Sequence, residues 1–480
     1  MAPKRAQHKK TKPSEEEWWA AFVPDTSVFV VLTILIVLTF IPLLAYPSIS
    51  SRLRTFGVFR DKDLESIHGL EGIKSIPGTL QCEDLHHHRP SNQLYAACQV
   101  GDASKRYSWF PPLDITKDHK AAGEGTIVTV DPVTFKATDL KLEGFSGPFV
   151  THGFDIYSTP TDPTTVHVFA VNHLPNPDHY YPKPGEKPSR FPGRSQIEIF
   201  RHKVGSSTAQ WVRSIRHPLI RTPNDIYATS ESSFYVTNDH FYRDGFMRIV
   251  EGFGTTNTAG WTDTVHVKFG LISGGRHAKE DDAETAVQVT KALEKEHNNN
   301  GLGHGPGPDD VLVVDAGGGV LTRTRRNPAT EKLTILERIQ FESNLDNPTY
   351  YFDEYKTPGN DASGYVLGGL AHGLDLAKDT SSPSNAIPVI VWHATVNETY
   401  PDHHSKWNRD IVFQDNGYGV KSASAAVIVG IDPKQNSGRK EGWVFVTGFM
   451  SDAIAAVKID LNRPVVSEFK LKHIHNRDEL

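Results

Sequence analysis

Residues 425–460 read AAVIVGIDPKQNSGRKEGWVFVTGFMSDAIAAVKID. Three apolar runs, AAVIVGID (425–432), WVFVTGF (443–449) and AIAAVKID (453–460), are separated by clusters of Gly, Pro, Asn, Asp and Ser. Runs this short, rich in Val and Ile and bounded by turn formers, read as strands of an antiparallel sheet. The same rhythm recurs upstream in GTIVTVD (125–131), TVHVFAVNH (165–173), QIEIFRH (196–202), FYVTNDH (234–240), DVLVVDA (310–316), GYVLGGL (364–370) and PVIVWHA (388–394). Many short strands with turns between them indicate a sandwich, a barrel or a propeller. The β-rich region, from about residue 80 to 465, is too long for one sandwich, and a propeller of small antiparallel sheets fits it. No sequence period is present, which disfavours WD40 and kelch repeats. Residues 276–296 (RHAKEDDAETAVQVTKALEKE) break the rhythm and read as a charged helical insertion.

Composition supports this class. With 38% hydrophobic and 22% charged residues in 480, the chain is not generally disordered. Its 38 Gly, 31 Pro, 24 Phe and 15 Tyr favour turn-rich β structure over a helical bundle. Lys+Arg (51) trail Asp+Glu (57), so no basic excess points to nucleic acid. Two cysteines, Cys82 and Cys98, exclude a disulfide-stapled scaffold and a cysteine-built zinc site. They are read either as a pair or as two buried thiols.

Ser27 to Tyr46 (SVFVVLTILIVLTFIPLLAY) is an uncharged run of 20 residues, about 30 Å as a helix, and is expected to cross a bilayer. A cleaved signal peptide is the bland alternative, but the polar stretch ahead of the run is long and the run exceeds the usual ~7–15 residues. Positive charges on both sides (Lys4, Arg5, Lys9, Lys10, Lys12; Arg52, Arg54, Arg60, Lys62) leave orientation undecided. The terminal Arg477-Asp478-Glu479-Leu480 resembles a KDEL-type retrieval signal, read in the lumen of the endoplasmic reticulum by its receptor. Asn397-Glu398-Thr399 is a glycosylation sequon in agreement with that side. The expected organisation is a cytosolic tail (1–26), a single membrane span (27–46), a linker (47–79), a lumenal β domain (80–470, including 276–296) and a tail (471–480).

Several segments combine oxygen donors with small residues: Glu83-Asp84, Asn224-Asp225, the Asn298-Asn299-Asn300-Gly301 run and Asp346-Asn347. Calcium takes six to eight oxygens from carboxylates, amides and main-chain carbonyls. These pairs lie too far apart for an EF-hand loop, whereas the inner strand ends of a propeller all meet at its centre. Taken singly, each pair is an ordinary turn. His152 (THGF) and His173 (VNH) are candidate bases. His86-His87-His88 is treated as an exposed run, because neighbouring residues alternate faces on a strand.

The words CEDLHHH (82–88), PFVTHGFDIY (148–157), VFAVNH (168–173), SIRHPLIRTPNDIYAT (214–229), FYVTNDHFYRDG (234–245), HNNNGLGHG (297–305), LDNPT (345–349), GGLAHG (368–373) and FQDNGYG (413–419) resemble the serum paraoxonase/arylesterase family, in its order. The resemblance implies a six-bladed β-propeller with two calcium ions in a central tunnel, and hydrolysis of lactones and aryl esters, sometimes organophosphates. It implies a catalytic calcium held by Glu83, Asn224, Asn300, Asp346 and Asn347. It implies a deeper structural calcium held by Asp84, Asp225 and the Phe154 carbonyl, with His152 and His173 as the histidine pair and Asp239 as a further site residue.

The chain departs from the mammalian pattern: no cysteine lies near its C-terminus to close the ring, and the segment after TNDHF (YRDGFMRIVEGFG) differs. The leading expectation is a calcium-dependent hydrolase of small-molecule esters or lactones in the membrane of the endoplasmic reticulum. The alternative is a non-catalytic, calcium-stabilised propeller that binds a partner or lipid. A sugar-lactone hydrolase is weaker, since two adjacent donor pairs suit two ions.

Overall fold

The computed structural model describes residues 50–61, 64–270, 282–397 and 406–462. The apolar run 27–46, the four terminal residues 477–480 and residues 276–281 lie outside them, and the sequon lies at their edge. The chain divides into two units, Met1–Arg52 and Leu53–Leu480, of which the second carries all the sheets. Among the described residues no helix is long and apolar enough to cross a membrane.

The second unit is all-β and propeller-like. One four-stranded antiparallel sheet comprises Asp84–His88, Gln93–Val100, Glu124–Val130 and Ala137–Asp139. The next comprises Thr151–Thr159, Asp162–Pro175, Gly193–Lys203 and Thr208–Ile215, with Lys141–Glu143 added in parallel at its edge. Two more are Pro223–Ser230 to Val287–Glu296 and Asn299–His304 to Leu333–Gln340. An eight-stranded sheet holds two antiparallel sets, Asn344–Tyr351 to Trp407–Asp415 and Ala423–Gly430 to Ile454–Asp460, joined by a single parallel bridge, Asn347 to Ala425. Lys74–Ile76 pairs with Ile454–Asp460, so an early segment completes a late sheet.

Alternation along the strands explains how the sheets stack. In Gln93–Val100, Tyr95 and Ala97 pack with Phe154, Val168 and Phe200 of the following sheet. Leu94, Ala96 and Cys98 point the other way, onto Ala425, Val427 and Phe445 of the last sheet. The period of two thus gives every sheet two apolar faces, each filled by a neighbour. Ile226, Phe234 and Val265 meet Phe169 and Ile199. Tyr227 and Tyr235 meet Leu302 and Val311. Leu312 and Leu321 meet Leu367 and Trp392. Val366 and Val391 meet Ile428 and Val444. Fully burying one such side chain stabilises by about 1.5–3 kcal/mol. The first strands of successive sets touch in order, and Ala423–Gly430 returns to Asp84–His88.

All ten apolar runs read from the sequence are strands. Two expectations are corrected. Residues 287–296 form a strand rather than a helix. Its pairing with Thr262–Phe269 shifts register twice, leaving Ala292 and Lys295 without partners, and these bulges destroy the alternation that would have revealed it. Within the expected linker, Lys74–Ile76 is a strand. His86 and His88 are buried rather than exposed. Of the two readings for the cysteines, the structure has the pair: Cys82 and Cys98 form a disulfide.

His393, buried in Val389–Val396 with Nε2 lacking a partner, is held down to about 4 by its burial. The unfolded chain takes up that proton near ~6.5. Stability is therefore complete above that pH and drains away as the pH falls from about 6.5 toward 4, by on the order of 3 kcal/mol. Melting curves across this range should show the decline, and His393→Gln should make it shallower. An equally steep decline in the variant would assign the effect elsewhere.

Candidate functional site

The site residues sit on the innermost strands. Glu83 immediately precedes Asp84–His88, with its N–H bonded to the Ala97 carbonyl at 3.0 Å. His152 and Phe154 lie on Thr151–Thr159, Asn224 and Asp225 on Pro223–Ser230, Asn300 on Asn299–His304, and Asp346 and Asn347 on Asn344–Tyr351. The strands approach closely because glycines flank the donors. A Cβ on Gly153 would lie 2.4 Å from the Asn224 carbonyl oxygen, and one on Gly301 would lie 2.6 Å from Cα of Asn347. The second contact explains why Asn300, the asparagine before Gly301, is the one brought in.

Among the described residues, eleven buried side-chain oxygens lack a hydrogen-bond partner, and five of them are Glu83 Oε2, Asn224 Oδ1, Asn300 Oδ1, Asp346 Oδ1 and Asn347 Oδ1. These five belong to the residues expected at the upper ion. The amide nitrogens are anchored instead: Asn347 Nδ2 donates to Glu83 Oε1 at 3.1 Å and Asn224 Nδ2 to Asp239 Oδ2 at 3.3 Å. Each anchor leaves the amide oxygen unengaged. A buried acceptor without a donor is costly, so five of them call for a cation. The set is oxygen-only and carries two formal negative charges, which suits a hard divalent ion such as calcium. Among the described residues no group of three or more His, Cys, Asp and Glu is gathered as a metal site, consistent with a set in which amides supply three of the five oxygens.

Electrostatics repeats the point. Burial, then the neighbouring Asp346 and Asp84 carboxylates, drive Glu83 well above the usual carboxylate range. Burial, then Asp84 and Asp239, do the same to Asp346. Asp239 is raised to about 6 by burial. The cation that partly answers Glu83 is Arg106, buried beside it and itself lowered to about 10 by desolvation. Arg106 Nη2 donates to the Thr151 carbonyl at 3.2 Å, and its guanidinium lies 4.6 Å over the Phe110 ring.

The lower set differs. Asp84 Oδ1 accepts from the Leu85 N–H at 2.7 Å, and Oδ2 accepts from the Phe154 N–H at 3.2 Å and from His86 Nε2 at 3.0 Å. Asp225 accepts from the Ile226 N–H at 2.7 Å and the Leu302 N–H at 2.6 Å. The Phe154 carbonyl accepts from His86 Nε2 at 2.7 Å. Each of these oxygens already accepts a hydrogen bond, and the His86 N–H stands between Asp84 Oδ2 and the Phe154 carbonyl oxygen, so the fit to a second ion is poorer than the fit to the first.

His152 and His173 lie side by side. His173 Nε2 lies 3.1 Å from His152 Nδ1, His173 Nδ1 lies 2.8 Å from Ser195 Oγ, and His152 Nε2 lies 4.0 Å from Glu83 Oε1. Burial holds both rings uncharged, His173 down to about 3 and His152 well below its usual range, with His173 and Arg106 contributing to the latter. Phe110 packs edge-on against His152, 5.3 Å between ring centroids. A cleft lined by His173, Ser195, Asp239, His240, Arg221 and Arg243 opens onto this end. Sequence reasoning missed Arg106, Phe110 and Ser195. Ser195 had a usable signal, since it pairs with His173 across adjacent strands.

Fold and site together define a propeller-like protein with a buried oxygen cage beside a neutral histidine pair. Residues 190–267 match the family described as Arylesterase. The chain is 30% identical over 147 residues to serum paraoxonase/arylesterase 2 of Gallus gallus, covering 30% of this chain and 35% of that protein. It is 28% identical over 214 residues to the Rattus norvegicus protein of the same name (44% and 49%), and 28% over 118 residues to the Homo sapiens one (24% and 28%). The matches span between about a third and a half of the first relatives' lengths. The chain is thus related to the serum paraoxonase/arylesterase family.

Crowded carboxylates repel one another when no cation is present. In excess chelator, Asp346→Asn should therefore melt higher than the native chain, by on the order of 1–2 kcal/mol. A lower melting temperature for Asp346→Asn in chelator would show that the charges are not in conflict.

Proposed function

We propose that the chain is a calcium-dependent hydrolase of carboxylic esters and lactones, built on a six-bladed propeller. The blade count is supported by reading the eight-stranded sheet as two sets and by the closed succession of inner strands. The single observation that carries the activity is that each of the five expected ligands has a buried side-chain oxygen without a hydrogen-bond partner, with Asn347 Nδ2 bonded to Glu83 Oε1 and His152 Nε2 4.0 Å from that same carboxylate oxygen.

Glu83, Asn224, Asn300, Asp346 and Asn347 would hold the ion. When bound, it supplies Lewis acidity for a carbonyl oxygen and for the negative charge that develops there. The rest is done by the chain. His152 Nε2 faces the Glu83 carboxylate and is the acceptor for a water proton. That role places the resting proton of His152 on Nδ1, donated to His173 Nε2, and the resting proton of His173 on Nδ1, donated to Ser195 Oγ. In that arrangement Ser195 Oγ is the final acceptor of the hydrogen-bond chain. Phe110, backed by the buried cluster of Trp109, Val150, Phe449 and Met450, packs an apolar wall against one side of the pair. Arg106 limits the charge on Glu83 in the resting state.

The β domain is placed on the lumenal side of a membrane. The uncharged run 27–46 supports the anchor. The Cys82–Cys98 disulfide supports an oxidising compartment.

Hydrolysis of phenyl acetate and a lactone panel should vanish with chelator and return with calcium. Asp346→Ala should abolish both the activity and the calcium-induced rise in melting temperature. His152→Gln should keep that rise while lowering kcat by ~10²–10⁴-fold. A calcium-induced rise without turnover of any ester or lactone would make the protein a binding module. Undiminished turnover in chelator would refute the mechanism.

A further inference from the structure

The lower oxygen set is already filled by a side chain of the protein. His86 lies two residues beyond Asp84 on the same innermost strand, and alternation puts both on one face. Its Nε2 reaches Asp84 Oδ2 at 3.0 Å and the Phe154 carbonyl oxygen at 2.7 Å, while Nδ1 lies 3.5 Å from Asp155 Oδ1. Both partners of Nε2 are acceptors, so this nitrogen carries hydrogen. A calcium ion on these two oxygens would sit about 2.3–2.6 Å from each, in the space that the N–H fills. The ring is fixed from its other sides. It packs edge-on against Phe154 at 4.9 Å, and Asp155 is itself held by the Ala228 N–H and His304 Nε2, each at 2.7 Å. The remaining donors of the set, on Asp225, are spent on the backbone of Ile226 and Leu302.

We propose that this chain holds a single calcium ion, in the Glu83–Asn224–Asn300–Asp346–Asn347 cage, and that the His86 imidazole replaces a second ion between Asp84, Asp225 and Phe154. The proposal rests on the calcium reading above for its one occupied site. An N–H that bridges Asp84 to the Phe154 carbonyl ties two neighbouring innermost strands, the structural task an ion would perform there. It does so without a divalent cation, so chelation empties the upper cage and leaves this tie in place.

Equilibrium dialysis of the full-length chain against radiolabelled calcium reads the number of ions directly. The native chain should bind one per molecule, Asp346→Asn none, and His86→Ser two, because the smaller side chain vacates Asp84 and the Phe154 carbonyl. Two ions on the native chain would overturn the proposal while leaving the hydrolase reading intact. One ion that survives Asp346→Asn would also overturn it, by placing the ion elsewhere. No ion on the native chain would refute the calcium reading itself. If His86→Ser fails to fold, the native and Asp346→Asn ratios still decide. If it folds and binds one ion, His86 is not the group that excludes the second.

Discussion

The structure turns on the repulsion and thirst of oxygen atoms gathered where water cannot serve them. Glu83, Asp84, Asp225 and Asp346 come from three separate innermost strands and the residue before one of them, yet each lies within electrostatic reach of another. Sheets are stacked with apolar faces on both sides, so their inner edges are forced together and the residues there are shut off from solvent. Burial makes each negative charge expensive. The fold answers in two ways. Around Asp84 and Asp225, backbone N–H groups and a histidine donate to the carboxylates, although burial and the neighbouring Asp84 still hold the Asp225 carboxyl well above the usual range. Where such donors are lacking, five oxygens are left open.

That division of labour gives the two halves of the site different characters. The upper half is underconstrained without a ligand and bordered by a cleft, a histidine pair and a buried arginine. The lower half is closed by hydrogen bonds. A place that must change its contacts during a reaction cannot have them all committed, so the chemistry belongs to the upper half. The lower half resembles a keystone, fixing the strands that bear Asp84, Phe154 and Asp225.

Much of the fold was legible in the sequence because strand burial on two faces produces continuous apolar runs, such as GYVLGGL and DVLVVDA, that stand out against Gly- and Asn-rich turns. What was not legible has local causes. The strand at 287–296 carries Lys291, Glu294 and Lys295 and two bulges, which together imitate a charged helix. The strand at 74–76 is only three residues long and acquires its role from a partner nearly four hundred residues away. The expected oxygen donors stand out only through the joint order of several weak motifs; Asn300 and Asn347 in isolation are indistinguishable from turn residues. Arg106 and Ser195 carry no motif: Arg106 matters through its contacts with Thr151 and Phe110, and Ser195 through the neighbouring strand of the same sheet that bears His173. His86 was misread because the alternation rule was applied to its neighbours and not to Asp84, two positions back.

The most direct test of the central claim is a crystal structure of the chain grown with calcium. The account predicts one ion bounded by Glu83, Asn224, Asn300, Asp346 and Asn347 at about 2.3–2.6 Å, with His152 beside it. Calcium density elsewhere, or these five oxygens turned apart and bonded only to water, would contradict it.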